Sequence, residues 1–249
     1  MPREFVDSLN FISESHLNSC ILIANQLGFS ELWISNPPKG IKKNIKAFTD
    51  SSSIRIYTRL DIGMKNESKE QITTILRHRR RTVPIIAVTC LTPEITAWAA
   101  QDNRVDIIKF PILQIGKLMT RSVAKLMVKF EKNLEIALSD LYNLPERQQI
   151  AAIRQIRFAL GIAKKKGVPI IFSSGSSKAK QLRSPQELIS LSQVLLEEST
   201  LPLDSLSKIP NNLLKQNLLK ISPNYILPGV FKVEDQLRFP LSQMKEEEE

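Results

Sequence analysis

Apolar positions fall into two patterns along the chain: short unbroken or alternating runs, and longer stretches in which they recur every three or four residues. The short runs start near residues 3, 31, 54, 83, 105, 133 and 168 and have the length and composition of β-strands. They are Arg3–Asp7, Glu31–Ser35, Ser53–Leu60, Val83–Thr89, Val105–Lys109, Asn133–Leu138 and the run after Gly167. The sixth is ambiguous, because Glu131–Tyr142 also suits a helix. Helical periodicity marks Ser13–Leu27, stopped by Gly28, and Glu67–Arg77. It continues in Thr92–Asp102, with Pro93 at the first helical position, and in Lys117–Lys129. The longest helix is Pro145–Lys166. Its core stripe is Ile153, Ile156, Leu160 and Ala163, and Arg147, Arg154 and Lys165 share another face. Pro210–Lys220 is the last helix, and the apolar, turn-rich Ser222–Val230 suits a final strand closing the layer. Strands alternating with helices predict an α/β fold with a parallel sheet, open or closed into a barrel. With no linker and no internal repeat, residues 1–240 are expected to form one barrel-like domain. The tail 241–249 is expected to be disordered.

One βα connection is unusually polar. The apolar run Val168–Phe172 leads into Ser173-Ser174-Gly175-Ser176-Ser177, then Lys178, Lys180 and Arg183. A helix starts at Ser184: serine is a good N-cap, Pro185 fits the first turn, and Glu187 completes a capping box. A cationic loop at the carboxyl end of a strand, entering a helix N-terminus, suits either an anion-facing loop or an ordinary connection with solvated lysines. A second lysine-rich loop, Asn36–Ser53, also follows a strand end. It reads as an RNA-contacting loop or as a mobile, solvated one.

Charge narrows the partners. The chain carries 35 Lys and Arg against 25 acids, and four of those acids are the terminal Glu246–Glu249. Such an excess of cations points to a polyanion, with nucleic acid the default. Arg77-His78-Arg79-Arg80-Arg81 exceeds what a helix C-terminus needs. Cys20 and Cys90 are too few for a disulfide framework and lack metal-ligand spacing, so both read as buried thiols of a reducing, cytoplasmic compartment. Met1–Asn10 has no secretory signal pattern, and no run approaches the roughly 18 apolar residues of a membrane span.

Catalytic chemistry is hard to find. The only histidines are His16 and His78, and neither has a metal-ligand partner at helical or strand spacing. No nucleophile elbow, Walker loop or dinucleotide fingerprint occurs. The scaffold of an enzyme is present without a visible active site.

Three segments carry a resemblance. Val168-Pro169-Ile170-Ile171-Phe172-Ser173-Ser174-Gly175 followed by Leu182-Arg183-Ser184-Pro185, then Arg104-Val105-Asp106-Ile107-Ile108, and Ser222-Pro223-Asn224-Tyr225-Ile226-Leu227-Pro228-Gly229-Val230 resemble ribonuclease P protein component 3. This is the archaeal counterpart of the thirty-kilodalton subunit of eukaryotic ribonuclease P and MRP. Ser53–Asp61 is similar more loosely. The resemblance spans most of residues 50 to 233, and the first 50 match it poorly. It implies a TIM-barrel-like fold related to polymerase and histidinol phosphatase-type phosphoesterases, with their metal ligands lost. It also implies a subunit of the ribonucleoprotein that removes the 5′ leader from precursor tRNA. There the RNA is the catalyst and uses Mg²⁺. The implied protein partners are component 2, the Pop-type subunit, and other ribonuclease P proteins. No catalytic or metal-ligating residue is then expected of the chain itself.

Steadying a folded RNA needs cations opposite its phosphates. Arg183, Lys180 and Lys178 are the first candidates, and Arg104, Lys109 and Arg59 the next. Arg59 and Lys109 have an alternative, a pairing with a barrel carboxylate such as Asp61 or Asp106. The competing function is a stand-alone metal-dependent phosphoesterase, which requires Asp7, Asp61 and Asp106 to converge on Mg²⁺.

Overall fold

The structure is a computed structural model that describes residues 3–10, 14–38, 53–63, 67–198, 200, 202–227 and 230–231. The lysine-rich stretch 39–52 and the acidic tail lie outside the described residues.

Seven parallel strands pair strictly in sequence order. They are β1 (Val6–Asn10), β2 (Glu31–Ser35), β3 (Arg55–Ile62), β4 (Ile85–Thr89), β5 (Ile107–Lys109), β6 (Asn133–Ala137) and β7 (Ile170–Ser173). The ends of this sheet meet. Beyond β7 the chain continues alongside β1, where the Gly175 amide donates to the Ser8 carbonyl at 3.0 Å and the Asn10 amide to the Ser176 carbonyl at 2.9 Å. A single bridge, Leu9 to Ser176, thus brings the sheet to near closure as a barrel.

The helices are α1 (Glu14–Leu27), α2 (Lys69–Arg79), α3 (Pro93–Gln101), α4 (Ile115–Leu118), α5 (Arg121–Lys129), α6 (Ser139–Tyr142), α7 (Glu146–Lys166), α8 (Pro185–Leu196) and α9 (Lys208–Ile221). The expected Lys117–Lys129 helix is broken in two. Thr120 leaves helical geometry and caps α5, its hydroxyl accepting the Val123 amide at 3.2 Å. The ambiguous stretch resolves both ways: β6, then the short α6. Ser222–Val230 does not close the sheet. Tyr225–Leu227 (β8) and Val230–Phe231 (β9) form a separate antiparallel pair, since closure is already made by residues 174–176.

Period-two alternation divides the core. Outward strand residues such as Leu32, Ile34, Val88, Ile108, Leu134, Ile136 and Phe172 pack under the helices. Inward residues split by height. At the amino end Val6, Trp33, Ile85, Ala87, Ile107 and Ile171 fill the lumen, and Leu213 and Leu214 of α9 plug that mouth. Toward the carboxyl end the lumen turns polar, with Ser8, Ser35, Arg59, Asp61, Lys109, Glu135 and Ser173 all buried.

Candidate nucleic-acid interface

The connection after β7 crosses the carboxyl-end rim of the barrel. Its first half is structural. Ser174 and Ser176 are buried, and the Asp7 carboxylate takes the Ser174 amide at 2.7 Å and its hydroxyl at 2.5 Å. Gly175 sits at φ +60°, where a Cβ would fall 2.5 Å from the Ser139 Oγ and 2.8 Å from the Ala137 Cβ. Only glycine fits that crossing.

The second half faces solvent. A short 3₁₀ turn, Ala179–Gln181, exposes Lys178 and Lys180, and buried Leu182 anchors its end. Arg183 lies with its guanidinium 5.7 Å from the Tyr142 ring centroid and donates to the carbonyls of Lys180 (3.2 Å) and Leu182 (2.9 Å). Gln181 reaches Asn143 at 3.4 Å. Two cations on a braced turn and a third stacked on an aromatic ring give a positive face with a fixed shape. The N-terminus of α8 adds less than expected. The Glu187 carboxylate already accepts the Ser184 amide at 2.7 Å and holds the anionic place there itself. Tyr142 escaped the sequence reading, because it sits in the stretch whose strand or helix state was open.

The other candidate cations are elsewhere. Arg59 is 1% and Lys109 8% exposed, so neither offers a charge to a phosphate. Arg59 bonds Asp61 (Nε to Oδ1, 2.6 Å), Ser8 Oγ (2.9 Å) and both oxygens of Glu135. Lys109 Nζ reaches Asp61 at 3.3 Å, and Ser173 completes Glu135 at 2.7 Å. Burial alone pulls the Arg59 pKa down, but Asp61 and Glu135 outweigh it and hold the guanidinium firmly charged. Burial likewise raises both carboxylates, and the two cations bring them below the ordinary range. The pairing of Arg59 and Lys109 with Asp61 is therefore what the structure adopts. Glu135, their second partner, was hidden in the same ambiguous segment. Arg104 stands before β5, at the amino end of the barrel, clamped bidentately on Asp102 at 2.9 and 2.6 Å. Only Arg183, Lys180 and Lys178 share one face.

The carboxylates required for a metal-dependent phosphoesterase do not converge. Asp7 is held by Ser174, Asp61 by Arg59, and Asp106 by Arg80 (2.6 Å) and the Ile86 amide (2.8 Å) at the amino end of the barrel. Where two carboxylates do face each other, at Asp61 and Glu135, a guanidinium fills the space between them. Among the described residues, no three His, Cys, Asp or Glu side chains group as metal ligands. The residues present do not fit the metal centre of a phosphoesterase of this fold. Burial pushes the thiols of Cys20 up to about 11 and Cys90 up to about 12, as befits packing groups.

Residues 9–222 match the family of RNase P subunit p30. The chain belongs to that family. Among its relatives is ribonuclease P protein component 3 of Methanosarcina barkeri, 19% identical over 222 residues that cover 89% of this chain and 91% of the relative. The protein of the same name in Methanococcoides burtonii is 23% identical, covering 92% and 93%. In three dimensions this p30-family chain superposes on a chain from a cryo-electron microscopy structure of archaeal ribonuclease P with mature tRNA. The TM-score is 0.77, at 18% identity, over 93% of this chain and 99% of the other. An amidohydrolase crystal structure shares the barrel more distantly, with TM-score 0.54 and 11% identity over 86% and 74% of the two chains. Among the described residues, no helix is long and apolar enough to cross a membrane.

Proposed function

We propose that this chain is a non-catalytic, RNA-binding protein subunit of ribonuclease P, supporting the catalytic RNA as it removes the 5′ leader from precursor tRNA. The match to the p30 family over residues 9–222 carries the reading. The net charge of +10 and a lumen whose carboxylates are neutralised by its own Arg59 and Lys109 support it. In this reading Lys178, Lys180 and Arg183 lie against RNA phosphates, Arg183 as a planar donor and the lysines as point charges. Mg²⁺ serves the RNA rather than the chain. The partners are the catalytic RNA, the Pop-type component 2 and further ribonuclease P proteins, in the cytoplasm.

The test is reconstituted cleavage of precursor tRNA by the cognate RNA and component 2 partner, with and without this chain, at moderate Mg²⁺. A gain in cleavage that Arg183→Ala weakens is the expected outcome. No gain with a verified RNA and partner would overturn the proposal.

A further inference from the structure

Helix α7 presents a face to solvent that packing does not explain. Arg147, Ile150, Arg154 and Phe158 lie along it, exposed, and the Phe158 ring is 60% accessible. Gly116 of α4 lies beside it: a Cβ there would stand 3.5 Å from the Phe158 ring, an ordinary contact distance. Next to Phe158 is a groove of about 370 Å³, lined by Arg121 of α5 and by Arg157, Phe158, Gly161, Ile162, Lys165 and Lys166 of α7. Four cations and one aromatic ring line it, and no carboxylate does. Arg157 is committed to Glu197 (3.0 Å) and to the Val194 carbonyl (3.1 Å). Arg121, Lys165 and Lys166 are exposed and have no ion-pair partner among the described residues. No cation covers the Phe158 ring there either.

We infer that this groove is a second RNA contact, one that takes an unpaired nucleotide with its base on Phe158 and its flanking phosphates against Arg121, Lys165 and Lys166. The inference rests on the ribonuclease P reading. An unpaired nucleotide brings a flat π face and adjacent charges together, which is what this lining offers. A protein helix would leave most of the cations unanswered unless it were acidic. The groove opens where α7 runs down to the amino end of β7, whereas the Lys178–Arg183 rim lies at the carboxyl ends of the strands. The two contacts are therefore distinct.

Equilibrium binding of the full chain to a labelled ten-nucleotide oligo(A), and to duplex RNA of the same length, tests this. Phe158→Ala should weaken oligo(A) binding about ten-fold, the usual loss for one stacked base. Phe158→Leu should weaken it as much, since it keeps bulk without a π face, and Phe158→Tyr should bind as the parent does. Lys165→Gln with Lys166→Gln should lower the log–log salt slope by about 1.4, or two single-strand phosphates. Full binding by Phe158→Leu, or equal binding of the duplex, would overturn the inference. If Lys178→Gln with Lys180→Gln weakens RNA binding while Phe158→Ala does not, the groove assignment fails and the subunit reading stands. If none of these variants matters and the chain adds nothing to cleavage, the subunit reading fails with it. Loss of a protein subunit from the assembled particle on Phe158→Ala, with oligo(A) binding intact, would assign the face to protein instead.

Discussion

At the scale of single residues, the barrel lumen and its seam hold charges with opposite responses to pH. Asp7 is fully enclosed, and burial, only partly offset by its bonds to Ser174 and Ser8, pushes its pKa up to about 6. The folded chain then holds that proton to a higher pH than the unfolded chain. Stability from this group therefore falls as pH rises from about 4 to about 6 and stays lower above that. Asp7→Asn should remove this slope, worth roughly 2–3 kcal/mol across the interval, as read from urea midpoints at several pH values. Asp61 and Glu135 behave in the reverse sense. Both are held below the ordinary carboxylate range, so their contribution is present above pH ~4–5 and is lost as pH falls below it. Removing the cation between them is a different matter. Arg59→Met leaves two buried carboxylates to share Lys109 and should cost about 3–5 kcal/mol of unfolding free energy. An unchanged urea midpoint would show that the pairing is dispensable.

At the scale of elements, caps and crossings set where the chain turns. Ser184→Ala removes the hydroxyl that accepts the Glu187 amide, leaves the backbone half of the α8 capping box in place, and should cost about 1 kcal/mol. Gly175→Ala forces a Cβ against Ser139 and Ala137 at a left-handed φ. It should cost about 1–3 kcal/mol and strip hydrogen-exchange protection from the Gly175 and Asn10 amides. Much of this layout was legible in the sequence. Glu31–Ser35 is the strand as read, Thr92 and Ser184 cap the helices that they announce, and Gly167 ends α7 at φ +75°. What escaped was tertiary. Periodicity cannot say that Thr120 interrupts a helix, nor that Ser174–Ser176 rather than Ser222–Val230 completes the sheet. Cations at strand ends also look alike in a sequence. Lys109 and Lys178 both follow apolar runs, yet one points into the lumen toward Asp61 and the other to solvent, and strand parity alone does not settle what partners wait inside.

At the scale of the whole molecule, positive charge is sorted by location: part is neutralised inside the barrel, and part stands on the rim and the outer wall. RNA binding should therefore depend steeply on salt. Replacing Lys178, Lys180 and Arg183 together should lower the log–log slope by about 2–3, with unfolding stability nearly unchanged, whereas changing Arg59 should do the opposite. A titration series in KCl for the two variants checks both halves. The seam between β1 and the residues after β7 has a further consequence. Asp7 and Ser174 lie 167 positions apart, while each of β2 to β7 pairs with its immediate predecessor in the chain. On the ribosome, each strand from β2 onward can dock as it emerges. β1 must keep one edge bare until the last of them arrives. A bare edge invites pairing with a neighbouring nascent chain, and a charge on it discourages that. Before the seam forms, Asp7 is exposed and ionised at neutral pH. The carboxylate that weakens the finished barrel thus guards its first strand while it waits.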